Sequence, residues 1–353
     1  MANPTTLPSF KVSPNQHSIS GLSSGAFMTV QLHLAHSSLF AGAGIIAGGP
    51  YRCVESFRDP SLEAEDAYTL NALYICMTPL TPGTGPKAGF LAGLARSTAA
   101  AGKIDPIRNL ADDRLYIFTG TKDTVVNSPV VQATRDFYLN LGVPASQILF
   151  INNRPAGHSI LTSNIEDSDE DANQPPYINY GGFMQSHAIL DQIYPGLKPP
   201  SQQLSGELIR FEQAPFAGGD AASVSMAKFG YAYIPDAVRQ GATARGVHIA
   251  LHGCKQGYSY VNFANGLADI ANQPPYGNRY ITTTGYNHKA DSNDLIVLFP
   301  QATGDDTNKA QNPDGCWDWW VYTAANPKEP DYYSKDAVQI RAIYNMLERL
   351  CGG

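Results

Sequence analysis

Short apolar runs alternate along this chain with segments of helical periodicity, and no other feature constrains its fold as strongly. The apolar runs end at Gly, Pro or polar residues, as buried strands do, and cover residues 17–20, 41–47, 115–119, 148–151, 247–251 and 295–299. Helical patterns cover residues 26–36, 130–141 and 336–350, of which the last has the clearest apolar stripe. Strands that alternate with helices predict an α/β fold with a mainly parallel central sheet and helices on both faces.

Composition and charge argue against several classes of function. Of the 353 residues, 43% are hydrophobic, which is enough for a sizeable core, and only 16% are charged. The net charge is −7 and the Lys and Arg residues form no stripe, so nucleic acid is not an expected partner. No apolar run reaches the roughly 18 residues of a membrane span, so membrane insertion is not expected. The first ten residues lack a signal-peptide pattern, which leaves a cytosolic protein or a mature secreted chain.

Residues 21–25, Gly-Leu-Ser-Ser-Gly, match the G-x-S-x-G pattern of a serine nucleophile on a turn between a strand and a helix. The pattern needs glycines because the strand and helix backbones nearly touch at this turn. Ser23 would present its hydroxyl from the turn, and the Ser24 N–H, at a helix N-terminus, would donate to a developing oxyanion. Ser24 is the competing nucleophile, but the glycine spacing favours Ser23. The non-catalytic interpretation is a Ser/Gly cap of the helix.

A serine nucleophile needs a base, and the base needs a carboxylate that orients it. In α/β-hydrolases the three follow the chain order Ser, Asp or Glu, His. Asp123 and His158 follow the third and fourth predicted strands, so both lie beyond carboxyl ends of strands, where α/β sheets place ligands. A turn-capping Asp and a loop His bonded to the backbone are the alternatives. Rivals at the wrong end of a strand, or assigned to other elements, are Asp112, Asp113, His187 and His252.

An oxyanion turn is predicted in an unusual place. His252, Gly253 and Cys254 follow the strand at 247–251, and in many esterases the backbone N–H just beyond such a glycine is the second oxyanion donor. The alternative is an ordinary glycine turn between a strand and a loop. In the usual hydrolase order this turn precedes the nucleophile, whereas here it follows the whole predicted triad.

A circular permutation explains this order. Residues 209–353 would supply the first strands of an α/β-hydrolase fold and the oxyanion turn, and residues 1–194 would supply the nucleophile, acid and base. Residues 195–208, rich in Pro, Ser and Gln, would be the linker at the join. The whole chain, 1–353, would then be a single catalytic domain whose two ends lie close together.

Longer stretches of the chain resemble the extracellular polyhydroxybutyrate (PHB) depolymerases, especially the circularly permuted single-domain fungal type. These stretches are SGLSSGAFM, FAGAGIIAGGPYRC, YIFTGTKDTVV, PAGH, GYAYIP, ALHGCKQ, GYNHKAD, LIVLFPQA and PDGCWDW. The resemblance implies a serine esterase that hydrolyses poly(3-hydroxybutyrate) or related short-chain polyhydroxyalkanoates through an acyl-enzyme, without a metal or cofactor. It implies Ser23 as nucleophile, His158 as base, Asp123 as orienting acid, and the Ser24 and Cys254 backbones as oxyanion donors.

The five cysteines contain no C-x-x-C pair, so a zinc site is not expected, and two disulfides with one leftover thiol is the preferred arrangement. The resemblance implies that Cys254 pairs with Cys316 and that Cys53 pairs with Cys76. It leaves Cys351 without a counterpart.

The three tryptophans, Trp317, Trp319 and Trp320, follow Cys316 directly. By the resemblance, Trp317 lines the crevice that binds a monomer unit. As a group the tryptophans suit an apolar polyester chain with periodic carbonyls. The alternative is a core position, which we expect for at least one of them.

The resemblance further implies a polyester substrate, insoluble or oligomeric, and a secreted protein, which we expect to be a monomer. The sequence contains no recognisable polymer-binding module, so adsorption to solid polyester would use the surface of the catalytic domain. One competing hypothesis is a secreted feruloyl or acetyl-xylan esterase, since these share the HGC and G-x-S-x-G patterns. The other is a non-catalytic binding protein on a hydrolase scaffold, against which the intact Ser23, Asp123 and His158 argue.

Overall fold

The computed structural model describes residues 6–57, 63–258, 260, 263–264, 267–268, 276–304 and 312–353. Its strands in chain order are β1 His17–Leu22, β2 Phe40–Ile46, β3 Arg114–Gly120, β4 Ile148–Arg154, β5 Ile160–Thr162, β6 Ile178–Tyr180, β7 Glu207–Glu212, β8 Phe229–Ile234, β9 Gly246–Leu251, β10 Phe263–Ala264, β11 Leu267–Ala268 and β12 Leu295–Phe299. Its α-helices are α1 Ser24–Ala35, α2 Ala64–Asn71, α3 Ala88–Ala100, α4 Ser128–Leu141, α5 Gln185–Ile193, α6 Asp236–Arg239, α7 Arg279–Thr283, α8 Tyr286–Asp291 and α9 Val338–Leu350. A π-helical turn, Ala72–Met77, continues α2.

Eight strands form one sheet in the order β4-β3-β2-β1-β9-β12-β8-β7. Every pairing from β4 to β12 is parallel, and β8 and β7 join antiparallel at the far edge. All residues of β1, β9 and β12 are buried, because the centre of the sheet is covered on both faces. Because β1 is parallel to both β2 and β9, the carboxyl ends of these three strands meet at one edge of the sheet.

Helices cover both faces of the sheet. On β2, Gly44 packs so closely on α5 that an added Cβ would lie 2.6 Å from the Ile189 side chain. The next residue, Ile45, points the other way and packs beside Ala26 of α1. In the part of the chain that the structure describes, no helix has the length and apolar character needed to cross a membrane.

The six predicted strands and three predicted helices are all confirmed, with ends shifted by a few residues. The sequence patterns did not predict β7 and β8. For β7 the reason is its exposure and sequence. Its residues are mostly half-buried or exposed, and Glu-Leu-Ile-Arg-Phe-Glu mixes charged with apolar side chains. An antiparallel edge strand does not need the continuous apolar run of a central parallel strand.

The two blocks of the chain share this sheet and meet where β1 pairs with β9, in the register Ser18 to His248 and Gly21 to Leu251. The segment that precedes β1 lies against the end of α9. There the N–H of Phe10 donates to the Leu350 carbonyl at 2.8 Å. The predicted permutation would likewise place α9 and β1 close together.

Candidate active site

Ser23 lies on a tight turn between β1 and α1, with φ 57° and ψ −123°. This left-handed conformation is strained for a residue with a Cβ and is held by its surroundings. The two glycines make the turn possible. A Cβ on Gly21 would lie 2.3 Å from the Gly25 carbonyl carbon, and a Cβ on Gly25 would lie 2.4 Å from the His252 carbonyl oxygen. The second contact brings the turn after β9 directly against Ser23.

Asp123 and His158 form a buried pair in the loops that follow β3 and β4. The His158 Nδ1 lies 2.8 Å from Asp123 Oδ2, and the other oxygen, Oδ1, accepts the N–H groups of Val125 and Val126 at 2.9 Å each. Because a carboxylate only accepts hydrogen bonds, Nδ1 carries the proton, and Nε2 of the neutral ring is left as an acceptor. His158 and Ser23 line the same cavity.

Asn173 fixes the two loops that carry this pair. Its Oδ1 accepts the N–H of His158 at 2.9 Å and that of Thr124 at 3.0 Å, while Nδ2 donates to the Lys122 carbonyl at 3.0 Å. Sequence reasoning missed this residue, because an asparagine in a polar loop carries no signal of such distant contacts.

Two backbone amides lie near Ser23, the predicted nucleophile. Ser24 is the first residue of α1, whose leading N–H groups have no acceptor within the helix. Cys254 lines the cavity with Ser23. Among the described residues, neither the Ser24 nor the Cys254 N–H has a hydrogen-bond acceptor. Both amides are thus available to an oxygen that develops negative charge.

His252, the first residue of the predicted oxyanion turn 252–254, has a structural role. It is fully buried, and burial lowers its pKa to about 4, so the ring is neutral near pH 7. Its Nδ1 donates to the Gly253 carbonyl at 2.7 Å, and its Nε2 accepts the N–H of Ala302 at 3.0 Å. Both ring nitrogens are occupied, so His252 is not available as a base. His187 is engaged likewise, with Nε2 bonded to the Gly285 carbonyl at 2.9 Å.

An apolar cavity of about 390 Å³ opens above Ser23. Trp319 and Trp320 form one wall, and Trp319 stacks on Phe27 with ring centroids 4.0 Å apart. The remaining lining residues are Thr69, Ala72, Leu73, Met77, Val125, Val126, His158, Tyr177, Cys254, Lys255, Asp314 and Cys316.

The structure does not bring Trp317 to the cavity, contrary to the expectation from the resemblance. Its side chain is fully buried, and its indole N–H donates to the His252 carbonyl at 3.1 Å. This hydrogen bond satisfies the one polar group of the buried ring and ties the ring to the turn after β9. Only the following two tryptophans reach the cavity, because the chain turns immediately after Trp317.

Asp318 makes this turn, and sequence reasoning missed it. Its buried carboxylate accepts backbone N–H groups of residues 320–323 at 2.8 to 3.2 Å, as well as the Thr323 hydroxyl at 2.6 Å. Burial raises the pKa of Asp318, and these hydrogen bonds oppose that shift. Through these hydrogen bonds the carboxylate fixes the backbone of the segment that carries Trp319 and Trp320.

Both expected disulfides are present, Cys53–Cys76 and Cys254–Cys316. The second fastens the oxyanion turn to the tryptophan segment. Cys351 is free and partly buried, and burial raises the pKa of its thiol to about 11, which makes it a poor nucleophile.

A G-x-S-x-G turn between a strand and a helix, at the carboxyl edge of a mainly parallel sheet, defines the class of protein as an α/β-hydrolase. The chain is 31% identical over 360 residues to the polyhydroxybutyrate depolymerase of Talaromyces funiculosus, and the match covers 99% of this chain and 93% of that protein. With that identity and coverage, the chain belongs to the polyhydroxybutyrate depolymerase family.

Further comparisons agree. The poly(3-hydroxybutyrate) depolymerase of Delftia acidovorans is 35% identical over 351 residues, which are 98% of this chain but only 62% of that protein. The crystal structure of the PHB depolymerase from Penicillium funiculosum matches with a TM-score of 0.80 at 30% identity, over 99% of both chains. A serine-to-alanine variant of a PHB depolymerase complexed with an R3HB trimer matches with a TM-score of 0.79. No protein-family model matches the chain.

Proposed function

We propose that the chain hydrolyses the ester bonds of poly(3-hydroxybutyrate) or related short-chain polyhydroxyalkanoates through an acyl-enzyme. The observation that carries this proposal is the buried Asp123–His158 pair, whose His158 lines an apolar cavity together with Ser23, Trp319 and Trp320. A complex of a related PHB depolymerase with an R3HB trimer supports the substrate class.

The geometry supports the following mechanism. Ser23 Oγ attacks the ester carbonyl while His158 Nε2 takes its proton, and Asp123 stabilises the resulting imidazolium through Nδ1. The Ser24 and Cys254 amides hold the tetrahedral oxyanion, each contributing about 3–4 kcal/mol as such donors typically do. The alcohol end of the chain leaves with the proton from His158. Water, activated by the same imidazole, then hydrolyses the acyl-enzyme.

An exposed apolar surface beside the cavity supports a solid polyester as substrate. Leu73 lines the cavity and is 44% exposed, and its neighbour Tyr74 is 52% exposed. Further exposed apolar side chains in the same part of the sequence are Phe57, Leu70, Leu80 and Phe90. Such a surface suits contact with a water-insoluble polymer without a separate binding module.

We further propose that residues 1–353 act as one circularly permuted catalytic domain, as a monomer, outside the cell. The shared sheet supports the single domain, since β1 of one block pairs with β9 of the other. Ser23, His158, Cys254 and the two tryptophans line one cavity within one chain, so a monomer would suffice for the proposed activity. The two disulfides suit an oxidising compartment.

The deciding experiment is incubation of the purified protein with a poly(3-hydroxybutyrate) suspension. We expect the suspension to clear, with 3-hydroxybutyrate monomers or short oligomers identified as products by mass spectrometry. Feruloylated sugars and acetylated xylan serve as competing substrates. Faster turnover of either, with no clearing, would favour the carbohydrate-esterase hypothesis, and failure of Ser23 to react with a fluorophosphonate would favour a non-catalytic binding protein.

Trp320→Ala is expected to reduce polymer hydrolysis at least about 10-fold, which is about 1.4 kcal/mol, because an aromatic wall of the cavity is lost. Hydrolysis of a small soluble p-nitrophenyl ester should change much less, since it does not need an extended binding surface. Tyr180→Ala, at an exposed tyrosine outside the cavity, is the control. Equal losses on both substrates would contradict a substrate-binding role for Trp320.

A further inference from the structure

Gln256 is a buried residue near the cavity, and both polar atoms of its side chain form hydrogen bonds. The proposed mechanism does not use it. Its exposure is 3%. The amide oxygen Oε1 accepts the N–H of Gly253 at 2.7 Å, while Nε2 donates to the carbonyls of Pro176 at 2.6 Å and Tyr177 at 3.2 Å. One side chain thus links the oxyanion turn to the loop before β6.

The Tyr177 end of this link reaches the predicted base. The Tyr177 ring packs edge-on against the His158 imidazole, with centroids 5.4 Å apart and planes at 87°. The Tyr177 carbonyl also accepts the N–H of Ile160, two residues beyond His158, at 3.0 Å. Tyr177 has φ 55°, a conformation that non-glycine residues keep only where contacts impose it. Loss of the contacts from Gln256 would therefore shift the wall that supports the imidazole.

The Gly253 end reaches the oxyanion amide. Gln256 holds the Gly253 N–H, and His252 Nδ1 holds the Gly253 carbonyl at 2.7 Å. Because the peptide group is planar and trans, a fixed Gly253 carbonyl directs the Cys254 N–H the opposite way. Gly253 also abuts the nucleophile, since a Cβ there would lie 3.3 Å from Ser23 Cβ.

We propose that Gln256 is a positioning residue that keeps the Cys254 amide and the His158 ring in register around Ser23. It joins loops from the two blocks of chain, 209–353 and 1–194, at the point where catalysis requires both. Oxyanion donors act because they are already in place, and a misplacement of about 1 Å can slow a reaction about 100-fold. The inference rests on the proposed esterase function.

Gln256→Met keeps the side-chain volume and removes all three hydrogen bonds. We expect kcat on a soluble p-nitrophenyl ester to fall about 10- to 100-fold, with KM within about 3-fold of wild type. The rate of fluorophosphonate labelling at Ser23 should fall in parallel, because that reaction uses the same amides.

Gln213→Met is the matched control. Gln213 is fully buried, its Nε2 donates to the Ala227 and Gln301 carbonyls at 2.7 and 2.9 Å, and its Oε1 accepts the Gln301 N–H at 3.0 Å. It follows β7, does not line the cavity, and bonds neither Gly253 nor Tyr177. We expect a comparable loss of thermal stability with kcat within about 3-fold of wild type.

Gln256→Glu adds a readout that a purely structural role would not move. The introduced carboxylate keeps an acceptor for Gly253 but turns an oxygen towards the Pro176 and Tyr177 carbonyls, which raises its pKa. Once protonated, it donates to one of these carbonyls. The ratio of variant to wild-type kcat should therefore rise as the pH falls through that pKa.

The outcomes separate this inference from the function on which it rests. A wild-type protein that hydrolyses no ester would overturn both. An active wild type, with equal kcat for Gln256→Met and Gln213→Met and a Gln256→Glu ratio that is independent of pH, would overturn the positioning role alone. Should Gln256→Met fail to fold, the Gln256→Glu pH profile decides by itself.

Discussion

Ser23→Ala is expected to lower ester hydrolysis by about 10⁵- to 10⁶-fold, the scale seen when a serine nucleophile is removed. The reaction then has no atom to form the acyl-enzyme, although the oxyanion amides and His158 stay in place. Folding should be little affected, because alanine tolerates φ 57° about as well as serine does. Initial rates on a p-nitrophenyl ester, with thermal unfolding in parallel, measure the two effects.

Ser24→Ala separates the two adjacent serines. The Ser24 hydroxyl is buried and has no hydrogen-bond partner among the residues that the structure describes, so its removal leaves none of these unpaired, and the backbone N–H remains. This variant should stay within about 10-fold of wild type, as a substitution that leaves the oxyanion amide intact. Near-normal activity of Ser23→Ala together with an inactive Ser24→Ala would move the nucleophile to Ser24.

The parts of the site that were predictable are those whose signal is local. The Ser23 turn shows itself through two glycines within five residues, and Asp123 and His158 through their places just after apolar strands. Each of these local patterns predicts the backbone geometry at its own position, and the parallel sheet then brings the strand ends together. The antiparallel strand β7 escaped prediction because its partly exposed residues carry no such pattern.

The parts that were missed depend on contacts between distant segments. Gln256 and Asn173 act through carbonyls and amides of other loops, and no spacing in the sequence records those partners. Trp317 was expected in the crevice only because of the family resemblance. Its indole instead bonds to the His252 carbonyl, 65 positions away, so tertiary packing decided which of three similar side chains faces the cavity.

The proposed permutation would give these distant contacts their significance. The proposed nucleophile, acid and base lie within residues 1–194, whereas the Cys254 amide and the tryptophan wall lie within residues 209–353. The pairing of β1 with β9 sets the coarse alignment of the two groups. The disulfide Cys254–Cys316 and the contacts of Gln256 then fix the loops beyond the strand ends, where the pleated sheet no longer imposes order.

Asp123→Asn is expected to lower kcat by about 10⁴-fold with the fold intact, as in other triads that lose this carboxylate. The reason lies in the neighbouring amides. An asparagine oxygen would still accept the Val125 and Val126 N–H groups, so its NH₂ would face His158 Nδ1 and donate to it. The His158 proton would then sit on Nε2, where it cannot accept the Ser23 proton.

Asp113→Asn is the matched control, because the structure contains a second buried His–Asp pair. His33 Nε2 lies 2.9 Å from Asp113 Oδ2, at the start of β3 and away from the cavity. This variant should lose stability comparable to that of Asp123→Asn but keep kcat within about 3-fold of wild type, as expected for a site far from the chemistry. Equal kcat losses in the two variants would mean that Asp123 acts through stability alone, and a loss below about 10-fold for Asp123→Asn would remove it from the triad.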